Sequence, residues 1–146
     1  MLGDHGRWGK GAPYHPSVSV PLVVSGPKVR QKIVSTLPTT ILDLTATFLE
    51  YANLKIPADM YSSSLKPLLE GQTNVHREYV FSGLKKWRLA YDGRYKLINN
   101  WQKDDLLFDT ETDPNELNNL SLNPKYQDHL NQLNRQLEKH KLNTTS

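Results

Sequence analysis

The sequence predicts an α/β fold, which becomes α+β if the 146 residues stand alone, and three observations predict it. The run Val20-Pro21-Leu22-Val23-Val24 does not alternate, as is typical of a strand covered on both faces in a parallel sheet. Two strand-like runs flank Asp92-Gly93 and predict an antiparallel hairpin. Asn123-Pro124 predicts the start of a final helix. Because no other run supplies parallel neighbours for residues 20–24, we expect the chain to be the end of a larger protein.

Composition excludes several classes of site. Hydrophobic residues make up 37% of the chain, and nine prolines with eight glycines indicate many loops and little sequence for a large independent core. The absence of cysteine excludes disulfides, thiolate zinc sites and cysteine nucleophiles within these residues. No run approaches the roughly 18 apolar residues of a membrane span. The net charge of +3 is spread along the chain and favours anionic partners only weakly.

The first half is predicted to hold one strand and one helix. Residues 1–19 are expected to form a loop, and residues 20–25 the buried strand. A helix follows, with Thr39 or Thr40 as its cap and Asp43 near the positive end of its dipole. Spacing at the helical period predicts a core-facing stripe formed by Ile41, Leu44, Thr45, Phe48, Leu49 and Ala52.

The irregular stretch 71–74 is the candidate boundary, so the predicted domains are residues 1–73 and 74–146. The second domain is expected to form an antiparallel sheet with a helix across one face. Short strands are predicted at residues 78–82 and 106–108, on either side of the hairpin. The final helix has one narrow apolar stripe, formed by Tyr126, Leu130, Leu133 and Leu137.

The register of the hairpin is predicted from its loop. A three-residue loop, Tyr91-Asp92-Gly93, pairs Leu89 with Tyr95 and Trp87 with Leu97, which places these apolar side chains on one face. A two-residue turn would pair Leu89 with Lys96 and so mix apolar and charged side chains on one face, so the longer loop is favoured. The opposite face is then expected to be solvated and to hold Arg88, Ala90, Arg94 and Lys96.

Several segments, in this order, carry a resemblance to a known family. GDHGRWGKGAPYHPSVSVPLVVSGP resembles a loop that leads into a core strand, and ILDLTATFLEYANLKIPADM with SSLKPLLEG resembles the helix and loop that follow. REYVF, DGRYKLI and LLFDTETDPNELNNL resemble a C-terminal subdomain. The family is that of the type I sulfatases of the alkaline-phosphatase-like superfamily, and the resemblance is to their C-terminal portion. It implies the end of an alkaline-phosphatase-like α/β domain, followed by a small antiparallel sheet with a C-terminal helix.

The resemblance implies hydrolysis of sulfate monoesters, with carbohydrates among the substrates. The family uses a formylglycine made from Cys or Ser in a C/S-x-P-x-R motif, beside a calcium ion held by oxygen ligands. The nearest match here, Ser25-Gly26-Pro27-Lys28-Val29, has valine where the arginine is required. We therefore expect the 146 residues alone to hold no catalytic nucleophile, to be inactive and to bind no calcium. The sequence leaves the location open, and periplasmic or secreted placement follows from family analogy alone.

Lys10 and His5 are the predicted substrate-binding residues. In the family a lysine in a W-G-K-G setting donates to a sulfate oxygen, and an ammonium group, with three donors, suits that anion. Gly9 and Gly11 allow close approach of the backbone, although a solvated loop lysine is the alternative. His5 can donate to a sulfate or leaving-group oxygen near neutral pH, or it can stabilise the loop. Asp4 resembles the second of two D-H-G copies rather than the metal-binding one, so no metal ligand is predicted.

Three other groups are interpreted as structural. Trp8 is expected to pack the loop rather than stack on a sugar. The carboxylates between Asp109 and Glu116 lack the EF-hand spacing and predict an acidic turn. The cations of the hairpin predict a solvated face, with contact to a sulfated polymer as the alternative. Nucleic-acid binding is excluded because Trp87 and Tyr95 are predicted to point away from those cations.

Two functions remain open. The first is the C-terminal part of a sulfatase, with a sulfated small molecule or polysaccharide and the missing N-terminal sulfatase domain as partners. The second is a non-catalytic, sulfatase-like module that binds an anionic glycan or a partner chain. An open reading frame upstream of Met1 that contains S-D-H-G and C/S-x-P-x-R would favour the first.

Overall fold

The computed structural model describes residues 1–144, and the side chains of residues 1–140. The elements in chain order are α1 (His15–Val18), α2 (Asp43–Tyr51), α3 (Lys66–Leu69), β1 (Val80–Leu84), β2 (Trp87–Tyr91), β3 (Tyr95–Asn99), β4 (Leu106–Asp109) and α4 (Gln127–Thr144). Short 3-10 turns lie at Asp4–Gly6 and Pro124–Tyr126. The α+β class predicted for the chain alone is confirmed.

The chain forms two compact units, which are described separately. Met1–Pro21 and the chain from Tyr79 onward form the sheet unit, and Leu22–Glu78 form the helical unit. The opening segment therefore belongs with the C-terminal sheet. The domain boundary expected at residues 73 and 74 stays a prediction.

The sheet is antiparallel, with the strand order β1-β2-β3-β4, and both of its faces are covered. One face packs on α4, through a cluster formed by Ala90, Leu97, Leu107, Leu133 and Leu137. The other face packs on the opening segment, through a cluster formed by Ala12, Tyr14, Trp87, Leu89, Ile98, Leu106 and Phe108. Successive strand residues point to opposite faces, so adjacent apolar pairs such as Leu97-Ile98 contribute to both clusters.

The predicted hairpin register is wrong. Leu89 lies opposite Ile98 instead of Tyr95, and Ala90 lies opposite Leu97. The side chain of Asp92 explains the wider loop, since its Oδ1 accepts hydrogen bonds from the backbone N–H groups of Arg94 and Tyr95 at 2.9 and 2.7 Å. The predicted register assumed that one face of the hairpin is covered and the other is exposed to solvent. In this sheet both faces are covered.

The predicted solvated cation face does not form. Ala90 and Lys96 are both buried, and they lie on opposite faces of the sheet. Arg94 lies in the loop and forms an ion pair with Asp109, with 2.7 Å between Nη2 and Oδ2. Arg88, Arg94 and Lys96 therefore share no common face of the sheet.

α4 begins as predicted. Asn123 caps the preceding turn, because its Oδ1 accepts from the backbone N–H of Lys125 at 3.0 Å. Leu133 and Leu137 are fully buried in the stripe, flanked by partly buried Tyr126 and Leu130. Within the described part of the chain, no helix is long and apolar enough to cross a membrane.

In the helical unit, the predicted core stripe of α2 is wrong. Ile41 and Phe48 are mostly exposed, at 63% and 66%, and the buried face holds Asp43, Ala46 and Thr47. This polar face is buried because the serine run that follows provides partners: the hydroxyl of Ser62, for example, accepts from the backbone N–H of Ala46 at 2.9 Å. Neither threonine caps the helix through its side chain, but Asp43 does lie in its first turn.

Residues 20–25 do not form the predicted strand. Val23 is 91% exposed, and Val20 and Leu22 are also exposed. A strand needs a neighbour to pair its backbone N–H and C=O groups. Among the described residues the only sheet is formed by β1 to β4, which does not include this segment.

Candidate functional site

Residues 1–9 form a closed loop, with a short 3-10 turn at Asp4–Gly6. A β-bridge joins Leu2 to Trp8, and the backbone N–H of Gly9 donates to the carbonyl of Met1 at 2.9 Å. Gly3, at φ 117°, adopts a conformation that favours glycine, and its N–H donates to the carbonyl of Arg7 at 3.0 Å. The backbone therefore holds the residues between Gly3 and Gly9 at the tip of one tight loop.

His5 lies at the tip of this loop, against a buried tyrosine. Its ring stacks on Tyr14, with 3.7 Å between the ring centroids and 7° between the planes. Tyr14 is fixed in turn by an edge contact with Trp101 and by a 3.3 Å hydrogen bond from Gln102 to its hydroxyl. The orientation of His5 is therefore set by the packing of Tyr14 in the sheet unit.

Lys10 is exposed and follows the closed loop directly. Its neighbour Gly11 is anchored to the sheet, because the indole N–H of Trp87 donates to the Gly11 carbonyl at 2.8 Å. The N–H of Gly11 also donates to the hydroxyl of Ser17 at 3.2 Å. Among the described side chains, no carboxylate forms an ion pair with Lys10. Because the adjacent backbone is anchored and no described carboxylate neutralises it, the ammonium group of Lys10 can bind an anion.

Asp4 serves the loop itself. Its Oδ2 accepts from the backbone N–H of Leu2 at 3.1 Å, and this bond lowers the pKa of Asp4. No group of three or more His, Cys, Asp or Glu side chains converges in the described part of the chain. That the chain alone binds no calcium stays a prediction.

Trp8 does not pack the loop as expected. Its ring is 77% exposed, and its backbone closes the loop through the bridge to Leu2. Trp8 is thus exposed two residues before Lys10 in the chain.

The acidic segment after β4 forms a turn, as predicted. Asp109 is buried and accepts from Arg94 Nε at 3.0 Å and Nη2 at 2.7 Å, which keeps its pKa low. Asp113 accepts from the backbone N–H of Asn118 at 2.7 Å. These two carboxylates are used within the fold.

Glu116 has a different partner, which sequence reasoning missed. It forms a buried ion pair with Lys96, and the two residues are 2% and 4% exposed. Burial lowers the pKa of Lys96, although the charge of Glu116 opposes that change. The adjacent apolar pairs on β2, β3 and β4 could have signalled that Lys96 lies on a covered face.

The chain matches the family model described as "N-sulphoglucosamine sulphohydrolase, C-terminal" over residues 3–143. An arylsulfatase of Clostridium perfringens is 28% identical over a stretch that covers 95% of this chain and 31% of the relative. A choline-sulfatase of Rhizobium meliloti is 32% identical over 86% of this chain and 26% of the relative. A protein solved in complex with its substrate D-glucosamine-2-N,6-O-disulfate has a TM-score of 0.86 at 25% identity, over 98% of this chain and 32% of that one.

The chain therefore spans about a quarter to a third of the length of these relatives. The likeness nevertheless extends over almost all of this chain, in sequence and in structure, and it includes the loop of Lys10 and the four-stranded sheet. It follows that the chain belongs to the N-sulphoglucosamine sulphohydrolase C-terminal family and corresponds to the C-terminal portion of a type I sulfatase.

Proposed function

We propose that this chain supplies the sulfate-binding loop of an enzyme that hydrolyses sulfate monoesters. Lys10 binds the sulfate group, and His5 lies on the substrate side of the loop. The observation that carries the proposal is an exposed lysine on an anchored backbone, one residue beyond a closed loop that holds His5 against Tyr14. The anchored backbone at Gly11 limits where the flexible side chain of Lys10 can place its ammonium group.

The proposed roles follow from the chemistry of the two side chains. The ammonium group of Lys10 donates hydrogen bonds to sulfate oxygens and balances their negative charge. The imidazole of His5 can donate to a sulfate oxygen or to the oxygen of the leaving group. Hydrolysis of the ester also requires a nucleophile. The C/S-x-P-x-R motif that supplies it in the family is not present in the 146 residues.

The nucleophile and the calcium ligands of the complete enzyme are therefore proposed to come from further sulfatase sequence. Two observations support this: the relatives are three to four times longer, and the apolar segment around Val23 lies exposed outside any sheet. In a larger α/β sheet, residues 20–24 would gain the strand neighbours that they lack here.

Carbohydrate sulfates are the proposed substrate class. The support is the structural neighbour solved with D-glucosamine-2-N,6-O-disulfate, which covers nearly the whole of this chain. Trp8, which is exposed and lies two residues before Lys10 in the chain, is suited to contact with a sugar.

Binding of inorganic sulfate to the 146-residue chain tests the role of Lys10. We expect a titration followed by NMR to shift the backbone amides of residues 3–11, and we expect Lys10→Ala to abolish these shifts. Lys103→Ala removes another exposed lysine of the sheet unit and should leave them unchanged. Unshifted amides in the unmodified chain, or equal shifts in Lys10→Ala, would contradict the proposal.

Hydrolysis of 4-nitrophenyl sulfate tests whether the chain is inactive alone. Because it lacks the nucleophile motif, we expect no release of nitrophenol above the buffer rate. A rate above buffer that disappears in Lys10→Ala would show that these residues suffice for catalysis. The rival function, a non-catalytic module that binds anionic glycans, is favoured if an added polypeptide with the C/S-x-P-x-R motif restores no hydrolysis while sulfate still binds.

A further inference from the structure

One buried ion pair holds the backbone on both sides of Tyr14. The ammonium group of Lys96 donates to the carbonyl of Pro13 at 3.1 Å, and the backbone N–H of His15 donates to Oε2 of Glu116 at 2.9 Å. Lys96 and Glu116 also pair with each other. The carbonyl of Pro13 and the N–H of His15, on either side of Tyr14, are thus hydrogen-bonded to the two members of one ion pair.

These contacts are tertiary. Pro13 and Lys96 are 83 residues apart, and His15 and Glu116 are 101 residues apart. They join the opening segment to β3 and to the acidic turn, and they replace water as the partner of two main-chain groups. They decide where Tyr14 lies relative to the sheet.

Stability alone does not explain a buried ion pair at this position. Burying two charges costs desolvation energy that their attraction only partly returns, and apolar side chains of the same volume often stabilise a protein as well or better. Glu116 also adopts a left-handed backbone conformation, at φ 56°, which is unfavourable for a residue with a side chain. Both features are explained if the pair serves the geometry of its backbone partners.

We propose that Lys96 and Glu116 are positioning residues for the sulfate-binding loop, acting through Tyr14 on the ring of His5. The pair fixes Pro13 and His15, these fix Tyr14, and the ring of Tyr14 supports His5 at 3.7 Å. The inference deepens the proposed function and rests on it, since a held His5 matters only if the loop binds sulfate.

A double variant of the 146-residue chain tests the proposal. Lys96→Met with Glu116→Gln removes both charges together, so that neither remains buried without its partner. Arg94→Met with Asp109→Asn is the matched control, because it likewise removes both charges of an ion pair, and this pair lies outside residues 1–21. The readouts are the nuclear Overhauser effect between the rings of His5 and Tyr14, the ring-current shift of the His5 protons and the affinity for inorganic sulfate.

In the double variant we expect the Overhauser effect and the ring-current shift to be lost, while contacts between Ala90 and Leu97 show that the sheet persists. Sulfate affinity should fall about tenfold, the loss expected when one hydrogen bond from His5 to a charged group is no longer made. The control should retain all three readouts. A folded double variant with unchanged ring contact and affinity would overturn the proposal.

Two further results separate the possible failures. If the unmodified chain keeps the ring contact but binds no sulfate, the proposed function fails while the structural linkage stands. If the double variant does not fold, hydrogen exchange of the unmodified chain decides instead. The His15 amide should then be protected to the same degree as amides of β3, and free exchange at His15 would overturn the proposal.

Discussion

Asp43 shows how this chain buries charge. Its carboxylate is completely buried and accepts from the backbone N–H groups of Thr40 and Ser63 and from the side chain of Arg77. His76 Nε2 also lies 2.9 Å from Oδ2. Burial alone would raise the pKa of Asp43, but these hydrogen bonds outweigh burial and lower it to about 2. Asp43 therefore links the start of α2 to two later segments of the helical unit.

We expect the helical unit to lose stability in acid because of Asp43. Its pKa is lower in the folded chain than the ordinary value of 3.8, so its stabilisation is complete above that value and is lost as the pH falls toward about 2. The measurement is hydrogen exchange or NMR of the Ser63 amide between pH 5 and pH 2. Breaking a buried charge pair costs about 3–5 kcal/mol, so Asp43→Asn should be less stable at neutral pH and should lose this acid dependence.

The exposed carboxylate of Asp59 provides the control for this prediction. Asp59→Asn should change stability by less than about 0.5 kcal/mol and keep the acid transition. An Asp43→Asn variant whose Ser63 amide follows the unmodified pH profile would refute the assignment.

At the scale of elements, the sheet depends on layers on both faces. α4 covers Ala90, Leu97 and Leu107, while the opening segment covers Leu89 and Ile98 on the other side. The sheet can therefore be weakened through α4, on the face opposite the opening segment. The cap at Asn123 is the place to do so, because it acts where the helical region begins.

We expect Asn123→Ala to destabilise the sheet unit by about 1 kcal/mol, since the N–H of Lys125 loses its partner. Chemical denaturation followed by circular dichroism measures this change. Asn123→Asp should recover most of the loss, and Asn115→Ala, at an exposed position in the preceding turn, should have little effect. Equal losses in Asn123→Ala and Asn115→Ala would argue against capping as the cause.

At the scale of the whole molecule, the opening segment is held by the C-terminal sheet. Trp87 and Lys96 bind the carbonyls of Gly11 and Pro13, and Glu116 binds the N–H of His15. Residues 22–25, in contrast, belong to neither helix nor strand, and Val23 is exposed. The candidate sulfate loop thus shares the stability of a sheet that lies more than 60 residues later in the chain.

Hydrogen exchange of the 146-residue chain tests this division. We expect the amides of Gly11 and His15 to be protected at a level approaching that of β2 and β3, because they donate hydrogen bonds to Ser17 and Glu116 in the same unit. Amides at residues 22–25 should exchange fast, since nothing in the described structure pairs with them in a sheet. Uniform protection from residue 11 to residue 25, or fast exchange at both ends of that range, would contradict this account.

Sequence patterns among neighbouring residues determined the C-terminal helix α4 and indicated the loop that carries Lys10. Asn123-Pro124 and the stripe through Leu133 specified α4, because capping and helical periodicity depend on residues close together. The glycines around Lys10 indicated a loop with an exposed ammonium group. The roles of Lys10 and His5 came from family resemblance and stay proposals.

Contacts between distant residues were decided only by the tertiary structure. The hairpin register, the polar buried face of α2 and the burial of Lys96 depend on what covers each surface, and the covering segments lie up to 101 residues away. The run at residues 20–24 makes the same point, since an apolar sequence becomes a strand only where a neighbour accepts its hydrogen bonds. Composition and spacing indicate which secondary structure a segment favours. Whether a charged side chain is buried or a strand forms depends on the segment that packs against it or pairs with it.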